Sequence, residues 1–361
     1  MKLYALIIAG GVGARFWPRS RERSPKQLLD IVGAGTMIQN TVYRLDPLIP
    51  AENVLVVTNA VQAEEIHRQL PRVPRENILV EPAGRNTAPA IAFGAEVLRH
   101  RVGDAVIVVV PADHLVHDVV GYQDTLKRAI RTAVKTRGLV TLGIRPTHPE
   151  TGYGYIQYDD RDSDGDLARL GAHPVKTFAE KPNLETAKMF LESGDFLWNS
   201  GMFIFKVKPI LNAFAEFLPD VTDEFRRLRP LIDTPGFAAA LETAYRGMRS
   251  ISIDYGVMEK AENRYILPSE FGWNDLGSWD EAYRVAEKDG DENVIVGTVF
   301  ARDTRRCHIS TTAKRVVAAI GVEDLSIIDT DDAVLVCRRG RSQEVKDIVD
   351  LLKKQNLKKH L

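Results

Sequence analysis

The chain has only two cysteines, Cys307 and Cys337, among 361 residues, and they form no CxxC pair. No disulfide framework is available, and a reduced, cytoplasmic setting is expected. Long apolar runs are missing too: nothing approaches the roughly 18 residues needed to span a bilayer. The opening Met1–Ala9 is apolar only briefly before Gly10 and lacks a charged leader and a cleavage site, so no signal peptide is expected. Neither sign of charge dominates, with 48 Lys+Arg against 49 Asp+Glu. That balance argues against a dedicated nucleic-acid binder. What is present, 44% hydrophobic and 27% charged residues, is ordinary for a folded globular chain and excludes disorder. The length fits two domains, or one large domain with an appendage, and a core that needs no metal or disulfide staple.

Short apolar runs alternate with amphipathic stretches through the first 145 residues. Strands are predicted at Leu3–Ala9, Asn53–Thr58, Asn77–Val80, Asp104–Val110 and Leu139–Gly143. Helices are predicted at Thr36–Leu45, Gln62–Gln69, Thr87–Arg101 and Tyr122–Arg137, the last with Leu126, Ile130 and Val134 at helical spacing. Runs such as Val106-Ile107-Val108-Val109-Val110 are continuously apolar, the habit of strands covered on both faces. The alternation predicts a doubly wound, mostly parallel, Rossmann-like α/β sheet. From 150 to 285 the pattern is mixed, with a strand at Met202–Lys206 and helices at Leu184–Glu192, Pro209–Phe217 and Phe237–Tyr245. The acidic run Asp159–Asp166 reads as a turn; it lacks the twelfth-position glutamate of a calcium loop. Short β-type pieces follow at Val294–Phe300, Val316–Ile320, Ser326–Asp329 and Ala333–Cys337. A closing helix places Val345, Ile348, Val349 and Leu352 on one face. The expected domains are 1–288 and 289–361.

The first strand runs into Gly10-Gly11-Val12-Gly13-Ala14-Arg15, with Lys26 following in Ser24-Pro25-Lys26-Gln27. Glycines let backbone amides approach an anion, though alone they fit a tight βα turn equally well. Arg15 and Lys26 tip the reading toward phosphate. A Walker loop is excluded because no GxxxxGK string occurs, and Phe16 occupies the third glycine position of a dinucleotide fingerprint. A nicotinamide oxidoreductase is therefore disfavoured.

Ordered segments then carry a resemblance. Gly10–Pro18 with Pro25-Lys26 is similar to the signature of sugar-nucleotide pyrophosphorylases. Glu81–Pro89, Pro111-Ala112-Asp113-His114, Thr151–Ile156, Phe178–Pro182, Trp198–Phe203, Asp254–Lys260 and Trp273–Trp279 resemble one branch, the mannose-1-phosphate guanylyltransferases. The tail from Gly321 to Val345 resembles the family as well. Ala14, Phe16 and Arg19 depart from the family's usual Thr, Leu and Leu.

The resemblance implies a nucleotidyltransferase that joins mannose 1-phosphate to GTP and releases pyrophosphate. Its nucleophile is already an anion near neutral pH, so no general base is required. Catalysis then rests on positioning and charge compensation between two polyanions. Arg15, Lys26 and Lys181 are the implied catalytic cations. Gly10, Gly11, Gly13, Arg15, Arg85, Asn86, Thr87 and Asp113 are the implied nucleotide-binding set, with Asn86-Thr87 also fitting the N-cap of the following helix. Gly154, Glu180, Lys181 and Asn199 are implied on the sugar-phosphate side. Asp113 and Asp275 are the implied Mg²⁺ ligands, since hard carboxylates suit that ion. His114 and His117 lack a third nitrogen or sulfur ligand, which leaves zinc disfavoured. Trp17, Trp198, Trp273 and Trp279 read as packing residues before stacking ones. The C-terminal region resembles a short left-handed β-helix that supports subunit association, so a homodimer is expected. The longer relatives add a phosphomannose isomerase domain, and no isomerase activity is expected here. Two rivals stay open: a related transferase of different base or sugar specificity, and a catalytically silent nucleotide-sugar-binding homologue.

Overall fold

The structure, a computed structural model, describes residues 2–159, 165–312 and 314–361. Residues 160–164 of the acidic run expected to form a turn lie outside that description. Contacts divide the chain into two units. The larger comprises the residues up to Gly10, Val42–Ala112 and Val116–Trp273; the smaller comprises Gly11–Thr41, Asp113–Leu115 and Asn274–Leu361.

The strands are β1 (Leu3–Ile8), β2 (Val54–Asn59), β3 (Ile78–Glu81), β4 (Val106–Pro111), β5 (Leu115–Val116), β6 (Leu139–Ile144), β7 (Tyr155–Tyr158), β8 (His173–Ala179), β9 (Phe196–Lys206), β10 (Arg264–Ser269), β11 (Trp273–Asn274), β12 (Val294–Val296), β13 (Val299–Arg302), β14 (His308–Thr311), β15 (Val317–Ile320), β16 (Leu325–Asp329) and β17 (Val334–Arg338). The helices are α1 (Met37–Tyr43), α2 (Ala63–Gln69), α3 (Thr87–Arg101), α4 (Val119–Thr136), α5 (Gly165–Leu170), α6 (Leu184–Ser193), α7 (Val207–Phe217), α8 (Pro219–Leu228), α9 (Phe237–Gly247), α10 (Trp279–Val285) and α11 (Val345–Lys354). None is long and apolar enough to cross a membrane among the described residues.

The larger unit is built on a nine-stranded sheet in the order β3-β2-β1-β4-β9-β6-β10-β8-β7. β1 lies parallel to β2 and β4, and β2 parallel to β3. The continuously apolar runs are the ones buried on both faces: Val54–Val57 and Val106–Val110 are essentially sealed from solvent. Beyond β4 the sheet turns mixed, because β9 inserts antiparallel between β4 and β6. β10 is parallel to β6, while β8 and β7 close the far edge antiparallel. Helix α3 is buried along most of its length, and a Cβ on Gly94 would fall 2.5 Å from Leu6 Cδ1, so glycine sets the helix-to-sheet approach. Helix α4 starts earlier than predicted, at Val119, because Asp118 caps it through the Gly121 N–H at 2.9 Å. Its buried stripe is Tyr122, Leu126, Ala129, Ile130 and Ala133, whereas Val134 is exposed. At 100° per residue Val134 has drifted about 80° from Leu126, and Ala133 holds the inward place.

In the smaller unit, short parallel strands stack as β12-β14-β16, with β17 antiparallel to β16, and β13 pairs parallel with β15. Parallel rungs this short are the repeating coil of a β-helix. Phe16, Trp17, Trp279, Ile328, Leu335, Val345 and Val349 form one core, and Cys307, Ile309 and Ala319 another. On α11, Ile348 is exposed, in contrast to the expected stripe. Both cysteines are free thiols.

Candidate active site

The glycine loop after β1 belongs to the smaller unit from Gly11 onward. It is held by the segment behind it: Gln27 Nε2 donates to Gly11 O at 2.9 Å and the Lys26 amide to Val12 O at 3.3 Å. Gly13 sits at φ +69°, and a Cβ there would fall 2.5 Å from Lys26 Cβ. This glycine is thus required both by backbone conformation and by the close passage of Lys26. At Gly10 and Gly11 a Cβ would meet nothing within 4 Å. The two positions keep their backbone open to an incoming group.

Lys26 is 4% exposed, and its ammonium donates to Asp113 Oδ2 at 2.9 Å and to the Asp275 carbonyl at 2.6 Å. One buried cation therefore brings together both residues implied as metal ligands. Burial pushes the Asp113 carboxyl up, but Lys26 and His114 outweigh it and hold the group below its ordinary value. Asp113 stays an anion, with about a third of its side chain exposed. Arg15 is exposed and takes no side-chain partner among the described residues. The neighbouring cations have structural work: Arg19 pairs with Asp30, and Arg21 with Asp332 at 2.8 Å. Trp17 and Trp279 are core residues, as expected, Trp279 Nε1 donating to Trp17 O at 3.0 Å.

A second cluster lies in the larger unit. Gly154 is followed by β7, and Asn199 sits in β9; the Asn199 amide donates to Gly154 O at 2.8 Å. Glu180 and Lys181 follow β8. A Cβ on Gly154 would fall 2.3 Å from Glu180 Oε2, so glycine makes the room that this carboxylate fills. Lys181 adopts φ +49° and donates to Glu180 Oε1 at 2.8 Å. Glu180 Oε2 is buried with no hydrogen-bond partner among the described residues. An acceptor left in that condition costs about 1–3 kcal/mol unless a donor arrives.

Sequence reasoning passed over Asp254 as a site residue. It opens a π-helical turn, Asp254–Met258, and accepts from Asn199 Nδ2 at 2.8 Å. Burial, with the Glu180 charge, pushes its carboxyl up to about 6 against the counterweight of Asn199 and Lys181. A perturbed carboxylate on a π-turn is a signature of functional sites. The signal in the sequence was the Asp254-Tyr255-Gly256 string, whose partner Asn199 lies 55 residues away.

The loop Arg85-Asn86-Thr87 is also in the larger unit. Asn86 caps α3 through the Thr87 N–H at 2.8 Å, as expected. Arg85 is occupied otherwise: its guanidinium donates to the carbonyls of Tyr245 and Arg246 at the end of α9. Thr87 Oγ1 accepts from the Ile253 amide at 2.8 Å. Glu81, at the end of β3, is buried and accepts from Tyr245 Oη at 2.9 Å; burial pushes it up to about 7. Arg85 and Thr87 therefore brace this loop in the structure, while Asn86 caps the helix that follows.

Comparison with known proteins gives a consistent result. The nucleotidyl transferase family description matches residues 4–292, and a MannoseP isomerase/GMP-like beta-helix domain matches 297–352. A mannose-1-phosphate guanylyltransferase of Escherichia coli is 39% identical over 363 residues, covering 99% of this chain and 77% of its own length. The xanthan biosynthesis protein XanB of Xanthomonas campestris is 39% identical over 96% of this chain and 73% of its own. Among solved structures, a mannose-1-phosphate geranyltransferase from Thermus thermophilus superposes with a TM-score of 0.86 at 36% identity, covering 98% of this chain and all of that one.

Proposed function

The chain belongs to the mannose-1-phosphate guanylyltransferase branch of the nucleotidyl transferase family, and from that premise we propose that it makes GDP-mannose and pyrophosphate from GTP and mannose 1-phosphate. A phosphate oxygen of the sugar phosphate attacks the α-phosphorus of GTP in line, and the bond to the pyrophosphate oxygen breaks. Both reactants are polyanions, so the chain's task is to lower their repulsion and align them. The open backbone at Gly10 and Gly11, with Gly13 and Arg15 behind them, receives the triphosphate. Lys26 compensates charge from beneath. Glu180 accepts sugar hydroxyls, Asn199 is held for the same task by Asp254, and Lys181 meets the sugar phosphate. Asn86 and the braced loop around Arg85 and Thr87 select the base.

The donor set fits a hard divalent ion such as Mg²⁺. Asp113 stays charged, and Lys26 Nζ binds the Asp113 carboxylate together with the Asp275 backbone carbonyl, which supports the reading that positive charge is favoured beside these two residues. Asp113 and Asp275 would hold the ion, whose chemistry is to offset charge on the phosphates. The observation that carries the reading is the Lys26–Asp113 pair, seated directly behind the glycine loop. The functional division is a transferase region, 1–288, and a C-terminal region, 289–361, through which two copies associate. Exposed Phe300, Val316 and Ile320 support that association. The free cysteines fit a cytoplasmic enzyme.

Pyrophosphate release measured across the four triphosphates and several hexose 1-phosphates tests the assignment. Turnover should be fastest with GTP and mannose 1-phosphate. Loss of that preference would move the chain to another specificity, and GTP binding without any turnover would make it a silent homologue.

A further inference from the structure

A cavity of about 630 Å³ opens in the larger unit, at the end of the sheet where β4, β6 and β10 begin. It is framed by the residues that enter β4, β6 and β10 and by the carboxyl end of β9. Four cations line it. Lys206 is matched by Asp104, Nζ to Oδ2 at 2.5 Å, and the other Asp104 oxygen accepts from the Lys208 amide at 3.4 Å. Both oxygens of that acid are engaged. The side chains of Arg137, Lys208 and Lys260 have no ion-pair or hydrogen-bond partner among the described residues. Elsewhere on the same unit surface cations are commonly matched, as Lys127 is by Asp124 and Arg101 by Asp233. Three unmatched cations around one concavity repel each other, and a phosphate dianion relieves that repulsion.

The rest of the lining narrows the ligand. Leu139 and Phe217 give an apolar wall, while Glu216 and Glu262 present acceptors that suit ring hydroxyls or amines and disfavour a bare polyanion. From these observations we infer that this cavity is a second ligand site, for a small phosphate ester carrying a hydroxylated or aminated ring: a nucleoside monophosphate or a sugar phosphate. It is linked by short chain segments to the sugar cluster. β9 carries both Asn199 and Lys206, and Lys260 follows two residues after the π-turn that begins at Asp254.

Isothermal titration of the intact protein with AMP, glucose 6-phosphate and inorganic phosphate tests this, each run against Lys208→Glu/Lys260→Glu. Both lysines are exposed, so the variant should keep the wild-type melting temperature and basal rate. The site scored is the one that the variant loses. At least one organic ester should bind one-to-one, at least tenfold tighter than inorganic phosphate and at least tenfold weaker in the variant. AMP alone would identify a nucleotide site, and glucose 6-phosphate alone a sugar-phosphate site. Binding by neither ester, binding unchanged in the variant, or inorganic phosphate binding as tightly as both would overturn the inference.

Discussion

Gly13 is the position in the phosphate loop where a single methyl group has the clearest consequence. Its left-handed backbone costs an L-residue about 1 kcal/mol or more, and Lys26 Cβ occupies the space the methyl would need. Gly13→Ala should displace Lys26 and lower kcat/KM for GTP at least tenfold; an unchanged value would show that Lys26 placement is not limiting. Asp113→Ala should cut turnover by on the order of a thousandfold with the fold retained by circular dichroism, as befits loss of charge positioning. Near-normal activity would mean that the metal-holding role lies elsewhere. Glu180→Gln should raise KM for mannose 1-phosphate about tenfold and change KM for GTP little, because one buried acceptor is weakened. At this scale Lys26 and Asp113 were legible because they stand in short segments after predicted strands. Asp254 was not, since its role arises only when a π-turn meets a distant strand. Arg85 was read from sequence as a nucleotide-binding residue; its partners in the structure, two carbonyls at the end of α9, were not legible there.

Among the elements, β1, β2, β4 and β6 announced themselves by continuous apolarity, and α3 spans the predicted residues to the letter. Strand β9 was read only from Met202 because Asn199-Ser200-Gly201 interrupts the apolar run. In the structure Gly201 takes φ +68° and β9 continues to Phe196, with its register against β6 shifted nearby. Helix α8 escaped notice; its buried face is just Val221, Phe225 and Leu228 after Pro219. Two buried groups give the elements a pH signature of opposite sign. Glu81, about 7 in the fold against an ordinary 4.5, holds a proton that the unfolded chain releases, so its contribution is lost as pH rises from 4.5 through 7. His308, the first residue of β14 and edge-on to the Trp279 ring, is pushed by burial down to about 4 from 6.5. Its contribution is lost as pH falls from 6.5 through 4. Each amounts to roughly 3 kcal/mol over its window. Urea unfolding between pH 4 and 7.5 should show Glu81→Gln losing more stability on acidification than wild type, and His308→Gln losing less. Parallel profiles for all three proteins would contradict both burial arguments.

For the whole molecule, composition and the ordered motifs were enough to give the class of fold, the reaction and the expectation of a β-helix. The grouping of Gly11–Thr41 with the C-terminal strands was hidden from sequence, because it depends on Phe16 packing edge-on against Trp279 at 4.9 Å. Light scattering should return twice the 40.3 kDa chain mass, and Phe300→Glu/Ile320→Glu should return the single-chain mass. A wild-type monomer would remove the C-terminal association. In the proposed mechanism the sugar phosphate itself attacks the α-phosphorus of GTP. Mannose 1-phosphate carrying ¹⁸O in its three non-ester oxygens, converted with GTP and read by ³¹P NMR, tests it directly. The expected result is GDP-mannose with all three labels retained, one of them in the bridge between the phosphates, and unlabelled pyrophosphate. Label appearing in pyrophosphate, or missing from the bridge, would contradict the account.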